Sequence, residues 1–353
     1  MVSAFVECAP RGRHVCVRNV QRARSEAIVA KKVAIIGAGL AGLSCARTLR
    51  QAGLSVDVFE EAPVIGGRIA TTCIGPDRFD HGAQYFSPQS DDFRNYIKGA
   101  LDAGYAGQWT PRVVAKGGRR ALSNDAWFVG KPGMSSVLRP LAENLRITVG
   151  QRVQSLELRE NGWHLWFGDE TSAGPFDALG VAVPAPEASD LVDGIPALAS
   201  ALSSTRMLPC WALMVRIDGK NFPDGDVFLD VSEAIHWIAR DNTKPGRDPH
   251  GETLVVHASP FWSQAAQQDD PQDVAAELWH GVSEALGLPP VRPSRMTTYL
   301  WRQGIVDQPL GQTHLYCSQS KVGLAGDWCL GASAEHAFQS GRHLGHAIAA
   351  ALG

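Results

Sequence analysis

The feature that most constrains this chain is a glycine-rich turn that joins a short apolar run to a helix-forming segment. Residues 33–36 read Val-Ala-Ile-Ile, and Gly37, Gly39 and Gly42 follow with the spacing Gly-x-Gly-x-x-Gly. Gly37 permits the turn, Gly39 lets a pyrophosphate approach the backbone, and Gly42 lets the helix pack on the strand. The pattern predicts a strand, a turn and a helix whose N-terminus binds the phosphates of a dinucleotide.

An acidic residue completes the predicted unit. The helix stops at Gly53, and a second strand, residues 55–59, leads to Glu60 about 20 residues after the glycines, the spacing expected of a ribose ligand. An acid there can accept hydrogen bonds from an adenosine ribose, so we predict that Glu60 binds the cofactor. Glu61 follows directly and is included in the candidate site, although we expect its side chain to be exposed. These residues alone leave open whether the dinucleotide is NAD or FAD.

Composition excludes several classes of partner. The chain has 353 residues, a length that suits two domains, and its formal net charge of -3 gives no general attraction for nucleic acid or an anionic membrane. No apolar stretch approaches the roughly 20 residues that span a bilayer, so we expect a cytoplasmic protein. The seven cysteines form no Cys-x-x-Cys pair and no Cys/His cluster, and we predict no metal site. Residues 1–30 are rich in arginine and predict a disordered basic extension.

Two further segments resemble flavin-binding signatures. Residues 66–68 read Gly-Gly-Arg, and residues 322–328 end in Gly-Asp-Trp. Paired glycines admit a ligand close to the backbone, Arg68 can neutralise a phosphate, and Asp327 can accept hydrogen bonds from sugar hydroxyls. Both segments resemble the second and third signatures of the amine-oxidase-type FAD proteins, and this resemblance implies FAD as the cofactor.

Nearly the whole chain from Val33 onward resembles the bacterial renalase-like proteins. The resemblance rests on residues 81–86, 129–135, 237–240, 244–248 and 326–330. It implies an enzyme with noncovalent FAD that oxidises the 2- and 6-dihydro isomers of NAD(P) to NAD(P)+, after which O2 accepts the electrons and yields hydrogen peroxide. The implied partners are a small dihydronicotinamide dinucleotide and O2.

The motifs and the resemblance together assign candidate residues to the cofactor and to the substrate. The candidate cofactor residues are Gly37, Gly39, Ala41, Gly42, Glu60, Glu61, Gly66, Gly67, Arg68, Gln84, Tyr85, Val153, Asp327, Trp328 and Ala334. The candidate substrate residues are Tyr85, Phe86, Ser87, Pro88, Gln89, Cys210, Trp211, Arg240 and His257.

The chemistry of such a substrate predicts an aromatic site. A dihydropyridine is already a hydride donor, so its oxidation needs a ring stacked flat on the flavin and no general base. We therefore expect no catalytic residue beyond the flavin. The aromatic candidates are Tyr85, Phe86, Trp109, Trp211, Trp237, Trp262 and Trp328.

Three questions remain open at this point. Arg240, Lys244 and Arg247 surround a Pro-Gly turn and form either a solvated basic loop or a clamp for a substrate pyrophosphate. Amine oxidation on the same fold is an alternative reaction. A flavin-binding protein without turnover is another, because Ser333 and His336 stand where the renalase-like proteins carry Arg and Gly, and Cys210 stands where some of them carry Thr.

The order of the signatures predicts an α/β fold, with a Rossmann-type FAD-binding domain and an α+β substrate domain like those of p-hydroxybenzoate hydroxylase and the amine oxidases. We assign residues 31–85, 129–185 and 318–353 to the FAD domain, and residues 86–128 and 186–317 to the substrate domain. Residues 147–182 predict a small β element with a hairpin turn at Asn161-Gly162. Other predicted strands are residues 211–217, 227–229, 236–239, 253–258 and 297–301, and predicted helices are residues 271–286 and 337–352.

Overall fold

The structure is a computed structural model that describes residues 30–115, 119–120, 126–218, 222–248 and 250–353. Residues 31–353 form one compact unit. The predicted basic extension therefore lies outside the described residues, apart from Ala30.

The strands alternate with helices in the first part of the chain and dominate its middle. The described strands are β1 Lys32–Ile36, β2 Ser55–Phe59, β3 Thr72–Ile74, β4 Asp77–Phe79, β5 Ala106–Trp109, β6 Val113–Ala115, β7 Arg119–Arg120, β8 Trp127–Gly130, β9 Arg146–Thr148, β10 Val153–Arg159, β11 Gly162–Phe167, β12 Ser172–Phe176, β13 Ala178–Val181, β14 Arg206–Ile217, β15 Val227–Leu229, β16 Ile235–Arg240, β17 Glu252–Ala258, β18 Arg295–Gln308, β19 Leu315–Cys317 and β20 Val322–Leu324. The described α-helices are α1 Leu40–Gln51, α2 Asp91–Asp102, α3 Arg139–Ala142, α4 Ala185–Leu191, α5 Pro196–Leu202, α6 Pro260–Ala265, α7 Pro271–Ala285 and α8 Ala334–Leu352.

A six-stranded sheet carries the predicted β-α-β unit. Its order is β19-β20-β13-β1-β2-β9, and every neighbouring pair is parallel except β19 and β20. Strand β1 is buried on both faces: Val33 and Ile35 belong to one core with α1 and α8, whereas Ala34 and Ile36 belong to a second core with β11. This explains why the strand reads as an uninterrupted apolar run, as parallel strands covered on both faces do.

Helices α1 and α8 pack closely against that sheet. A Cβ atom at Gly341 would lie 2.0 Å from the backbone oxygen of Ala41, and one at Gly345 would lie 2.7 Å from Cβ of Thr48. The glycines of α8 therefore let the two helix backbones approach one another. This contact brings the start of the closing helix beside the glycine-rich turn.

The second large sheet has seven strands in the order β18-β14-β17-β16-β15-β6-β7. All its neighbouring pairs are antiparallel except β15 and β6. Helix α7 covers this sheet, since Val274, Leu278 and Val282 share a core with Leu213 and Val256. The side chain of Asp270 caps α7 by accepting a hydrogen bond from the backbone N–H of Gln272 at 2.8 Å, and Pro271 follows at the first helical position.

The predicted small β element is partly wrong. Strands β10 and β11 form the expected hairpin around Asn161, and β12 completes a three-stranded sheet with them. The flanking strands β9 and β13 instead join the six-stranded parallel sheet. Short β-branched strands look alike in sequence, and only the neighbours that the fold provides decide which sheet they enter. The strands predicted at 211–217, 227–229, 236–239, 253–258 and 297–301 are confirmed, as are both helices, although the closing helix begins three residues earlier, at Ala334.

Candidate active site

One long cleft joins the two large sheets. Its volume is about 1120 Å³, and it is lined by all three glycine-containing signatures as well as by residues of β14, β16, β17 and β18. Ligands of open parallel sheets bind at the carboxyl ends of the strands, and the turns after β1 and β2 lie there. A cleft of this size suits an elongated ligand such as a dinucleotide.

The first turn leaves room for a phosphate against the backbone. Gly37 has a φ of 101°, and a Cβ atom there would lie 2.6 Å from the backbone oxygen of Ala182. Gly39 faces Gly67 across the cleft, since a Cβ atom at Gly39 would lie 3.9 Å from Cα of Gly67. No side chain caps α1, and its first turn holds no acidic residue. The N–H groups of that turn therefore remain available to an anion.

Gly42 has a different task from the other two glycines. A Cβ atom there would lie 1.9 Å from the backbone oxygen of Gly37, and Gly42 does not line the cleft. It serves the helix-to-strand packing, which is the role that the third glycine has in such turns.

The acid after β2 is fixed by the backbone on both sides. Glu60 is buried, and its carboxylate accepts hydrogen bonds from the backbone N–H groups of Ala38 at 2.7 Å and Ala62 at 2.9 Å. Glu61 is half exposed and lies 3.7 Å from Arg152. Both acids line the cleft, as do Ala41, Val153 and Ala334.

Arg68 and Asp327 connect the second signature to the third. Two hydrogen bonds of 2.7 and 2.6 Å join the Arg68 guanidinium to the Asp327 carboxylate, and both residues line the cleft. Trp328 lies behind them, fully buried and off the cleft, and its indole N–H donates to the backbone oxygen of Val183 at 3.0 Å. Its burial and this hydrogen bond therefore fix the turn that contains Asp327.

The far end of the cleft is aromatic. The Tyr85 ring stacks on Trp127 with centroids 3.9 Å apart, and Trp237 lies 5.7 Å from Tyr85. Cys210 and His257 line the cleft with them. Burial raises the pKa of the Cys210 thiol to about 12 and lowers the pKa of His257 to about 4. Near neutral pH both side chains are therefore uncharged.

Several candidate substrate residues lie outside the cleft. Phe86 is buried against Phe93, and Trp211 is buried and donates to the backbone oxygen of Ala266 at 3.0 Å. Arg240 forms two hydrogen bonds, of 2.9 and 2.6 Å, with Glu252. Ser87, Pro88 and Gln89 also do not line the cleft, and the backbone N–H of Gln89 donates to Glu335 at 2.7 Å.

The basic loop after β16 is not solvated. Lys244 is fully buried, 2.6 Å from Asp241 and 3.3 Å from Asp80, and it donates to the side-chain oxygen of Gln84 at 3.1 Å. Arg247 pairs with Asp80 as well. Burial alone would raise the pKa of Asp80, but the charges of Lys244 and Arg247 outweigh this effect and lower it to about 2. For Asp241 burial dominates and raises the pKa. These four charges, which we call the buried quartet, hold the segment that ends in Gln84 and Tyr85.

The departure at Ser333 has a local structural role. The Ser333 hydroxyl accepts a hydrogen bond from the backbone N–H of His336 at 3.1 Å and so caps α8. Ala334 and Ala337, on the first turns of that helix, line the cleft. The N-terminus of α8 is therefore intact and directed at the ligand space.

Three aromatic residues of the site carry no sequence motif. Trp127, Tyr299 and Trp301 line the cleft, and Trp301 donates to the backbone oxygen of His81 at 2.9 Å. Their aromatic type is the only signal that could have pointed to them, and the sequence-based prediction missed all three. Trp237 was among the aromatic candidates and does line the cleft.

These features define the class of protein. A parallel sheet with an uncapped glycine turn, a buried acid after β2 and an Arg–Asp pair around one cleft fits the adenosine, pyrophosphate and sugar parts of FAD, and the aromatic end fits the ring system of a flavin. The sequence comparisons agree. Residues 35–100 match the NAD(P)-binding Rossmann-like domain, and residues 102–344 match the flavin containing amine oxidoreductases. The chain belongs to the family of flavin containing amine oxidoreductases.

Individual relatives extend this finding to the fold. The structure is similar to a putative protoporphyrinogen oxidase from Exiguobacterium sp. 255-15, with a TM-score of 0.72 and 11% identity over 91% of this chain and 99% of that one. It is also similar to cyclohexylamine oxidase from Brevibacterium oxydans IH-35A, with a TM-score of 0.70 and 15% identity over 91% of this chain and 99% of that one. The predicted fold class is confirmed.

Similarity to curated sequences is short. The chain is 54% identical to the putative oxidoreductase UacF of Escherichia coli (strain K12) over 50 residues, which are 14% of this chain and 8% of that protein. It is 42% identical to the 1-hydroxycarotenoid 3,4-desaturase of Flavobacterium sp. (strain P99-3) over 57 residues, 16% of this chain and 12% of that protein. The matched segments thus span a small fraction of either relative.

The described residues contain neither a helix suited to spanning a membrane nor a group of side chains suited to binding a metal ion. None of the helices in the described part of the chain has the length and apolar character that crossing a membrane requires. Within the same residues, no group of three or more His, Cys, Asp or Glu side chains is placed to bind a metal ion.

Proposed function

We propose that this chain is an FAD-dependent oxidase that takes a hydride from the 2- or 6-dihydro isomers of NAD(P), as the renalase-like proteins do. The products are NAD(P)+ and hydrogen peroxide. The hydride supplies two electrons and one proton, and a second proton from water completes the reduction of O2 to H2O2. Bound FAD would supply the two-electron acceptor.

The observation that carries this proposal is the aromatic end of the cleft, where the Cys210 and His257 side chains are both uncharged. Near pH 7 the Cys210 thiol stays protonated and the His257 imidazole is only a weak base, because burial holds their pKa values at about 12 and about 4. The flat faces of Tyr85 and Trp237 can hold a planar ring and exclude water. Hydride transfer requires that the donor ring is correctly oriented and that water is excluded, and these residues can provide both conditions.

The chain's own residues would hold FAD without a covalent bond. The glycine turn, Glu60, Arg68 and Asp327 provide the polar contacts, and Gln84 and Tyr85 border the same space. Cys329 follows Asp327 closely, but it is buried away from the cleft, and burial raises its pKa to about 12. A thiol in this state is a poor nucleophile for attachment.

Amine oxidation is the second candidate. The Asp230 carboxylate lines the cleft and could bind an ammonium group, although it already pairs with His236 at 2.6 Å. An aromatic cage for an amine needs a gap between two rings, whereas Tyr85 and Trp127 are in contact at 3.9 Å. The contact between Tyr85 and Trp127 therefore argues against an amine cage between those two rings. A flavin-binding protein without turnover is the third candidate.

The experiment that tests the proposal is anaerobic mixing of the purified holoprotein with each reductant while the flavin absorbance is followed. We expect the 2- or 6-dihydro isomers to bleach the flavin rapidly and to yield peroxide when O2 returns. Ordinary 4-dihydro NAD(P)H should be slow, since a displacement of about 1 Å can cost on the order of a hundredfold. Benzylamine should do neither.

Opposite outcomes select the alternatives. Bleaching by amines within seconds, with both isomers inert, would establish amine oxidation instead. If no reductant bleached the flavin, the protein would be a binder without turnover, and Ser333→Arg with His336→Gly would test those departures. Heating should release intact FAD into the supernatant. FMN there would contradict the role given to Glu60, and flavin that stayed with the protein would contradict noncovalent binding.

A further inference from the structure

The longest strand of the seven-stranded sheet is interrupted beside the aromatic end of the cleft. Trp301 of β18 pairs with Cys210 of β14, and Ile305 pairs with Leu208. Between these two pairs, β14 contributes one residue, Pro209, whereas β18 contributes three, residues 302–304. This is a special β-bulge with three residues opposite one, and bulges redirect side chains, commonly next to active sites. Pro209 lacks the N–H group that a regular ladder would use.

All three bulged residues, Arg302, Gln303 and Gly304, line the cleft. A Cβ atom at Gly304 would lie 2.9 Å from Cβ of Cys210, so the returning strand touches the candidate substrate side. Arg302 follows the residue paired with Cys210, which places its backbone within roughly 8 Å of Cys210 by strand geometry. Its long side chain can therefore bind a group one sugar unit away from a ring beside Cys210.

The charge of Arg302 is not balanced by any carboxylate in the described part of the chain. Of the three arginines that line the cleft, Arg68 pairs with Asp327 and Arg152 lies 3.7 Å from Glu61. Arg302 is exposed and forms no ion pair with any residue that the structure describes. Acidic residues concentrate near Arg152 instead, where Glu187 interacts with Glu61 and Asp190. Among the residues that the structure describes, Arg302 is thus the one arginine of the cleft without a carboxylate partner, and it lies beside the aromatic end.

We propose that Arg302 binds a phosphate oxygen of the pyrophosphate of a dinucleotide substrate, with Gln303 beside it as a polar neighbour. This inference rests on the proposed function and deepens it, because it explains selection of a dinucleotide over a nucleoside. The alternative clamp of Arg240, Lys244 and Arg247 cannot serve, since these side chains pair with Glu252, Asp80 and Asp241. A guanidinium forms two parallel hydrogen bonds with phosphate, which suits this task.

The test compares Arg302→Ala with the wild-type holoprotein and with Arg292→Ala, a control at an exposed arginine that does not line the cleft. NAD+ binding to the oxidised holoprotein is measured by calorimetry. Flavin reduction is measured anaerobically with the dihydronicotinamide dinucleotide isomers and with the matching ribosides, which lack phosphate. We expect Arg302→Ala to weaken NAD+ binding about tenfold and to leave the ribosides unchanged. Arg302→Lys should recover part of the loss.

The outcomes separate this inference from the proposed function. Equal NAD+ affinity in Arg302→Ala, Arg292→Ala and wild type would overturn the Arg302 assignment, even if the isomers bleach the flavin. An equal loss for dinucleotide and riboside would also overturn it, because phosphate would not be the group concerned. If the isomers failed to bleach the flavin while Arg302→Ala still weakened NAD+ binding, the result would support the dinucleotide subsite and contradict the proposed reaction.

Discussion

The Arg68 guanidinium and the Asp327 carboxylate meet across the cleft through two parallel hydrogen bonds, although 259 positions separate them in the sequence. The pair joins the second glycine signature to the turn after β20. Because each charge is balanced by the other, the cofactor side of the cleft holds polar groups already oriented for a ligand.

Loss of either buried acid should weaken FAD retention. Asp327→Ala leaves Arg68 without its partner, and Glu60→Ala removes the acceptor fixed by Ala38 and Ala62. Each change should cost about 1 to 3 kcal/mol of FAD binding. The measurement is flavin occupancy after dialysis, and Glu61→Ala, at an exposed neighbour, is the control. Equal occupancy in all three variants would reject these assignments.

The rate of flavin reduction by the dihydronicotinamide isomers should not vary with pH between roughly 5.5 and 9, a range that lies between the shifted pKa values of His257 and Cys210. Neither side chain titrates in this range, because the pKa of His257 is lowered to about 4 and that of the Cys210 thiol is raised to about 12. At lower pH the rate should fall, because a protonated His257 would repel the cationic product. Rapid-mixing measurements across this range provide the test. A rate that climbs steadily with pH would point to an ionising base or an amine substrate.

Neutralising Lys244 should strongly destabilise the protein. Lys244→Met leaves Asp80 and Asp241 short of a counter-charge in the interior, and removing one partner of a buried ion pair costs about 3 to 5 kcal/mol. The double change Lys244→Met with Asp241→Asn should cost less, because it removes one charge of each sign. Urea unfolding midpoints measure this difference. Lys98→Met, which breaks an exposed pair with Asp102, should hardly move the midpoint, and a similar shift for Lys98 and Lys244 would refute the argument.

The contact between α1 and α8 should tolerate no side chain at Gly341. Gly341→Ala would place Cβ 2.0 Å from the backbone oxygen of Ala41, so the helices must separate at a cost of about 1 to 3 kcal/mol. Gly99 lies in α2 with no atom near its would-be Cβ, and Gly99→Ala should stabilise by up to about 1 kcal/mol. Melting temperatures of the two variants, measured by thermal unfolding, test these opposite predictions. Equal melting temperatures would contradict the close approach.

Much of the cofactor half could be predicted because its requirements are local. A turn that needs a positive φ and a close phosphate leaves glycines at fixed spacing, so Gly37, Gly39 and Gly67 could be recognised in the sequence. The strand-ending acid Glu60 could be recognised for the same reason. The hairpin at Asn161 was also predictable, since a tight turn restricts the residues within it.

The substrate half could not be predicted in the same way, because a side chain's partner there lies on a strand distant in sequence. Arg240 looked available, yet β17 brings Glu252 to it. The loop with Lys244 could be interpreted as a solvated loop or as a phosphate clamp, yet Lys244 is buried and pairs with Asp80, which directly follows β4. Trp127 and Arg302 carried no motif, and a strand pairing and a bulge brought them to the cleft.

The sequence by itself determined the β-α-β unit, the flavin signatures and the fold class, because glycine, strand periodicity and chain order act over short ranges of backbone. Only the tertiary structure decided which charges are neutralised inside the protein and which remain for a ligand. Burial and pairing set that outcome: among the residues that the structure describes, Glu252 pairs with the guanidinium of Arg240, whereas no carboxylate pairs with that of Arg302.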